Sequence, residues 1–272
     1  MKAMEDTEGI IIEDIGKREE DVMAVAVLAG HILVENGAEI FRVEETIRRI
    51  SEHYGVHSGT AFVLTNGIFA TAGNSREKLF AKVLHIPVQG ANLDRIAQVN
   101  QLSREIDAGK YTLHEAAEKL EQIRHAPSKR KSTLILAAAL GSGAFSVLFG
   151  GSLADAGCAA LAGLVMYAFL LYYGAHFSKI VKNIAGALIV TLICGLLYLA
   201  GVGPHLNFMI IGAVMPMVPG VAFTNSIRDF ADGDYISGAV RMLDALMVFA
   251  SIALGVGFGI SLLSFFSGGI NL

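Results

Sequence analysis

The sequence predicts an α+β cytoplasmic domain over residues 1–128, followed by an all-α polytopic membrane domain of five transmembrane helices over 129–272. Three observations predict it. Charge is unevenly placed: 17 of the 21 Lys and Arg and 20 of the 25 Asp and Glu precede Ser132, so the last 141 residues carry nine charges. The first part alternates between helical and strand-like apolar spacing. The second part holds five apolar stretches, and they lift the chain to 53% hydrophobic, against roughly 45–50% in soluble domains.

In the first part, residues 19–35 include VMAVAVLAGHILV, apolar on most faces like a helix packed into a core. Asn36-Gly37 interrupts it. The spacing of Ile40, Val43, Ile47, Ile50 and Tyr54 predicts a second helix over 38–54, with Glu44–Arg48 and Glu45–Arg49 pairs on its outer face and Gly55 at its end. The period then changes. AFVLT-NG-IFATA reads as a hairpin with Asn66-Gly67 in a type I′ turn, and KLFAKVLHIP (78–87) as a third strand. Helices follow over 92–107 and 113–125; Thr112 and Glu115 have capping-box spacing, and Pro127 closes the second.

The apolar stretches fall at 132–151, 154–173, 183–202, 207–227 and 245–266. Each has about 20 residues, enough for a hydrocarbon core of roughly 30 Å. Lys129, Arg130 and Lys131 precede the first, Lys179 and Lys182 follow the second, and Arg228 and Arg241 follow the fourth. The connections after the first and third, and the C-terminal tail, carry no Lys or Arg, which predicts a cytoplasmic N-terminus and an outside C-terminus. Small residues, including Gly255 and Gly259 at GxxxG spacing, predict close helix packing.

The fourth stretch carries the polar signal. Pro216 and Pro219, followed by Gly220, remove backbone donors and predict a broken helix of the kind that builds binding sites in secondary transporters; a simple kink is the alternative. Thr224, Asn225, Arg228 and Asp229 come next. Asn225 and Asp229 share a helix face, and Asn225, lying deeper, needs a partner. Arg228 reads equally as an interfacial anchor, Arg241 and Asp244 as a local pair, and Asp232 and Asp234 as loop residues.

Several functions are disfavoured. His31, Glu35 and Glu39 recur every four residues, but Asn36-Gly37 breaks the spacing and no HExxH or cysteine cluster supports a metal site, so neither metal nor cofactor is expected. Cys158 and Cys194 sit in apolar stretches without CxxC spacing, as buried hydrophobes do. A net charge of −4 with no basic run gives nucleic acid no footprint. The acidic MKAMEDTEGI lacks the order of a secretory signal.

NGAEIFRVEETIRRI (36–50) and MPMVPGVAFTNSIRDFADGD (215–234) resemble signature segments of the threonine/serine exporter family, and the hairpin, the 112–125 helix and GAFSVLFGG (143–151) fit its pattern. The resemblance implies no enzyme, but gradient-driven export of small amino acids, threonine or serine, across the inner (cytoplasmic) membrane. The chain resembles only the first part of the family's larger members. A second small membrane protein of the family, or a homo-oligomer, would then supply the other half; five spans, an odd number, would place a fused repeat in inverted orientation. In such an exporter the cluster of prolines and polar residues in the fourth stretch makes Pro216, Pro219, Gly220, Thr224, Asn225, Arg228 and Asp229 candidates for substrate contact, and Asp229 and Asp244 candidates for ion coupling. Glu39, Arg42 and Glu44 match the family motif and either fix the two-helix unit or gate the bundle. Export of another small carboxylate, such as a dicarboxylate, and a membrane-bound sensor or scaffold are the alternatives.

Overall fold

The computed structural model describes residues 2–72, 80–86, 90–127 and 129–266. In chain order it runs α1 (Lys2–Glu35), α2 (Ile40–His53), β1 (Thr60–Leu64), β2 (Gly67–Ala72), β3 (Phe80–His85), α3 (Leu93–Asp107) and α4 (Leu113–His125). It continues through α5 (Lys131–Leu148), α6 (Leu153–Tyr172), α7 (Lys179–Leu199), α8 (Leu206–Val214), α9 (Gly220–Ala231) and α10 (Tyr235–Phe266). The expected strand residues Lys78, Leu79 and Pro87, residue 128 at the expected domain boundary, and the tail beyond Phe266 lie outside the described residues.

Two compact units result. The first comprises Met1–Pro127 and Val221–Met242; the second comprises Ser128–Gly220 and Leu243–Leu272. Residues 221–242, part of the membrane half by sequence, group with the first unit.

In the first unit α1 and α2 enclose one core with a three-stranded antiparallel sheet, ordered β1-β2-β3, and with α3 and α4. Met23, Ile32 and Leu33 of α1, Ile47 and Ile50 of α2, Ile68 of β2, Ile106 and Leu120 are fully enclosed. Each such side chain contributes about 1.5–3 kcal/mol by leaving water, and their number makes this core the main source of stability in the unit. The expected capping box on α4 is formed: Thr112 Oγ accepts the Glu115 N–H, and the Glu115 carboxylate accepts the Thr112 N–H.

Two local expectations are corrected. The hairpin closes one residue earlier than a type I′ Asn-Gly turn would place it: Leu64 pairs with Gly67, so Thr65 and Asn66 form the turn, and neither has positive φ. Both registers keep Val63 and Ile68 inward, so hydrophobic pattern alone does not choose between them. The third strand does. Gly67 is drawn into the sheet beside β3, where an added Cβ would stand 3.1 Å from the Leu84 carbonyl, and Asn66 accepts the Ile86 N–H at 2.8 Å. On α2, Glu45–Arg49 forms as expected, but Arg48 pairs with Glu52, because Glu44 turns inward to accept the Val63 N–H at 3.1 Å.

The second unit is a helix bundle. α5, α6, α7 and α10 are each long and apolar enough to cross a membrane, and the bent pair α8–α9 makes a fifth span if counted as one. Leu136, Leu140, Leu148, Leu153, Leu196, Phe258 and Phe265 face outward, a patchwork that suits lipid and not water. The inward faces carry small residues. A Cβ on Gly255 would press into the Ile184 carbonyl, and one on Gly259 would stand 2.6 Å from Thr191 Cβ, so the GxxxG face of α10 seats directly on α7. The helix beginning with α8 ends in a 3₁₀ turn at Met215–Met217, and Val218 is extended (ψ 126°) before Pro219. The expected break is present, and each proline removes a donor there.

Candidate functional site

The site is built on the turn between α1 and α2. Gly37 at φ +79° closes α1 in a Schellman-type cap: its N–H reaches the Val34 carbonyl at 3.0 Å, and Ala38 N–H reaches that of Leu33 at 2.9 Å. A side chain at Gly37 would strain this conformation. The cap leaves the Gly37 and Ala38 carbonyls at the negative end of the α1 dipole. Glu39 opens α2 without capping it by its own side chain, which leaves the positive end of α2 open to an anion.

α9 and the start of α10 supply the complementary groups. Asn225 Nδ2 donates to the Gly37 carbonyl at 3.0 Å, giving the amide its expected partner. Arg241 Nη2 donates to the Ala38 carbonyl at 2.6 Å, placing a cation at the end of α1. The Asp229 carboxylate accepts the Ile40 N–H, placing an anion at the start of α2, and its Oδ2 faces Arg241 Nη1 at 3.4 Å. The Asp229 side chain is 2% exposed and that of Arg241 11%. Arg228 donates to Glu39 Oε1 at 2.9 Å, and Arg42 Nε stands 3.5 Å from Glu39 Oε2. Arg228 is half exposed, so its pair is screened and contributes at most about 1 kcal/mol. The buried Asp229–Arg241 pair dominates the electrostatics.

Three buried polar atoms of this cluster make no hydrogen bond: Arg241 Nη1, Asp229 Oδ2 and Glu39 Oε2. Each faces an opposite charge, Arg241 Nη1 and Asp229 Oδ2 one another at 3.4 Å and Glu39 Oε2 the Arg42 Nε at 3.5 Å, so they are ion-paired with hydrogen-bonding capacity left over.

The two sequence motifs thus meet: Glu39 and Arg42 from the first, Asn225, Arg228 and Asp229 from the second. Thr224 lies exposed on α9, while Pro216 and Pro219, half-buried, and Gly220, exposed, belong to the second unit. The expected Arg241–Asp244 pair is not formed. Lys179 Nζ holds both oxygens of Asp244 at 2.5 Å, and Arg241 turns to Asp229 and Ala38 instead. Arg241 and the two turn carbonyls escape sequence reasoning; the available signal was an arginine a turn inside an apolar helix. Among the described residues no group of His, Cys, Asp or Glu could hold a metal.

Glu44 stands beside this cluster. Burial pushes its carboxyl above the usual carboxylate range, the Val63 N–H opposes that, and Asp234 adds to it. The folded chain therefore holds this proton more tightly than the unfolded one. The stability so gained is full below the ordinary carboxylate value of roughly 4.3 and is lost as pH rises through the higher folded value. Glu44→Gln should flatten this fall in a series of thermal melts from about pH 4 to 7. An unchanged slope would place its origin elsewhere.

A family model described as "Putative threonine/serine exporter" matches residues 24–263. The chain is similar to a protein named "Threonine/serine exporter" from Corynebacterium glutamicum, with 26% identity over 251 residues, covering 89% of this chain and 51% of that protein. It thus spans about half the length of that curated relative. No solved structure matches. The family match runs from α1 to α10 and takes in both sides of the cluster at the α1–α2 turn. The chain belongs to the threonine/serine exporter family, a family of transporters and not of enzymes.

Proposed function

We propose that this chain is one half of a gradient-driven exporter of small amino acids, threonine and serine, in the cytoplasmic membrane. Residues 1–128 lie in the cytoplasm, and a second membrane subunit, or a second copy, completes the pathway. Two facts support the division of labour: the family match covers most of the chain, and the chain spans 51% of its relative.

The observation that carries the proposal is the cluster of charged groups at the α1–α2 turn, Arg241 beside Asp229 and Arg42 beside Glu39, whose facing atoms are ion-paired but make no hydrogen bond. They have the polarity of a zwitterion. A substrate carboxylate meets Arg241, its ammonium meets Asp229 and Glu39, and Asn225 and Thr224 serve the hydroxyl. In the state described here, Asn225 and Arg241 clamp the turn. Substrate loosens the clamp by competing for these groups, and the break at Pro216, Pro219 and Gly220 gives α9 a joint about which to move. Asp229 and Asp244 are candidates for ion coupling, and Arg42 and Glu44 hold the gating turn in place.

The test is labelled-threonine flux in proteoliposomes, with the chain alone and with a candidate second subunit. Saturable flux from the chain alone would support a homo-oligomer; flux only with the second protein would support the split exporter. No threonine or serine flux in either case, from folded protein, would sink the amino-acid reading, and a dicarboxylate would be tried next.

A further inference from the structure

A second polar site lies in the bundle, where sequence reasoning marked nothing. Asp155, in the first turn of α6, is fully buried. Its Oδ2 accepts the Ser152 N–H at 2.8 Å and the Ser152 hydroxyl at 2.7 Å, which a capping box explains. The remaining bonds it does not explain. Oδ1 accepts the His205 N–H at 3.0 Å, and Oδ2 faces His205 Nδ1 at 2.9 Å. An ionised carboxylate that already takes three donors acts as acceptor only, which assigns the hydrogen of the fourth contact to His205 Nδ1. The other ring nitrogen, Nε2, is then the one that takes up a proton, on a side chain that is half exposed.

The surroundings isolate this pair. Phe208 packs beside the His205 ring, with centroids 5.6 Å apart. An added Cβ on Gly203 would stand 3.1 Å from Asp155 Oδ1 and 3.2 Å from Cys158 Sγ, so the connection before α8 closes over the carboxylate. Cys158, one turn along α6, is an ionisable group beside the carboxylate. On the packed helices the charged groups are Lys131, opening α5, and Lys179 and Lys182, opening α7; α8 carries none. Each lies at the far end of its helix, about 25 Å away by helix rise. The remaining ionisable groups of α6 and α7 are Tyr167, Tyr172, Cys194 and Tyr198.

Polar groups also continue inward. Ser142 and Ser146 lie one turn apart on α5, fully buried, with hydroxyls that make no hydrogen bond. Ser146 Oγ is 2.8 Å from where a Cβ on Gly151 would sit, next to Ser152, and Ser142 is held between Gly163 of α6 and Gly212 of α8. Buried hydroxyls without hydrogen bonds in an apolar bundle are costly, and these two extend the polar groups around Ser152 along α5.

The geometry points to His205, held by Asp155, as the proton-binding group through which a proton gradient acts on transport. The proton adds to Nε2, no bond breaks, and the Nδ1–H bond to Asp155 persists, so the pair becomes an imidazolium–carboxylate pair. Lys179 and Lys182 follow the second apolar stretch, whereas the connections that carry the pair follow the first and third and contain no Lys or Arg. On the orientation proposed above they face outside, where an inward proton gradient delivers its protons. The coupling rests on the exporter proposal; the proton site does not.

Two measurements on the full chain separate them. In lipid nanodiscs with ¹⁵N-labelled histidine, the His205 signal, assigned by its loss in His205→Gln, should show the Nδ1–H tautomer in the neutral ring and the doubly protonated ring on acidification. Asp155→Asn should change that tautomer balance. A ring that takes up no proton on acidification of the folded protein, or is indifferent to Asp155→Asn, would overturn the proton site and leave Asp155 as a cap. In proteoliposomes, His205→Gln should bring the ratio of threonine flux with and without a proton gradient to about 1, a ratio independent of how much protein is active. A wild-type ratio in the variant would overturn the coupling. Absence of flux from the unmutated protein, both alone and with the second subunit, would count against the exporter reading, with the titration still deciding the proton site.

Discussion

Arg241→Met should lower the stability of the chain by about 3–5 kcal/mol, the cost of leaving a buried charge without its partner. Asp229, 2% exposed, would keep the Ile40 N–H but lose its cation, and the Ala38 carbonyl would lose its donor. The thermal midpoint in detergent should fall by roughly 6–20 °C if the loss is spread over a unit of this size. Combining Asp229→Asn with Arg241→Met removes the stranded charge, and most of the loss should return, since a neutral pair is often no worse than a buried ionic one. Threonine flux should not return with it, because neither charge then remains for the zwitterion. Recovery of both would mean that the pair is purely structural, and that the proposed binding site is wrong.

The second large effect is on transport. Asn225→Ala and Asp229→Asn should each reduce saturable threonine flux by about tenfold. One hydrogen bond to a polar or charged group is worth roughly 0.5–3 kcal/mol, which corresponds to about 2- to 150-fold. Asn225→Ala should do this with little loss of stability, since only the bond to the Gly37 carbonyl goes with it. Initial rates over a range of threonine concentrations would show it. If both variants transport like the unmutated chain, the site at the α1–α2 turn is abandoned.

The two results bear on what could be read from residues alone. Local chemistry was legible. The Thr112–Glu115 capping box, the strands around Asn66 and the broken helix at Pro216 and Pro219 depend on neighbours within a few positions, where residue type and spacing carry the physics. Long-range pairing was not. Arg241 stands three residues from Asp244, which makes that pair plausible in a sequence, yet it binds Asp229 and a carbonyl 203 positions away. Glu44 looks like a surface partner for Arg48 until β1 brings the Val63 N–H beside it. Backbone acceptors such as Gly37 and Ala38 have no sequence signature at all. Asp155 and His205 are single residues 50 positions apart, and nothing in their spacing advertises a contact.

The separation of Asp155 and His205 has a consequence for how the chain is made. Ribosomes add about 5–20 residues each second, so Asp155 is synthesised roughly 3–10 s before its partner. During that interval α6 must enter the lipid with a carboxylate whose histidine does not yet exist. Asp residues are among the most expensive for the insertion machinery, at about 2.5–3.5 kcal/mol in mid-helix. Ser152, three residues away, supplies two donors at once, and the position at the helix mouth keeps the charge near water. The nascent hairpin of α5 and α6 can therefore wait in the membrane with its acid provisionally satisfied, until the residues before α8 emerge and take over the other oxygen.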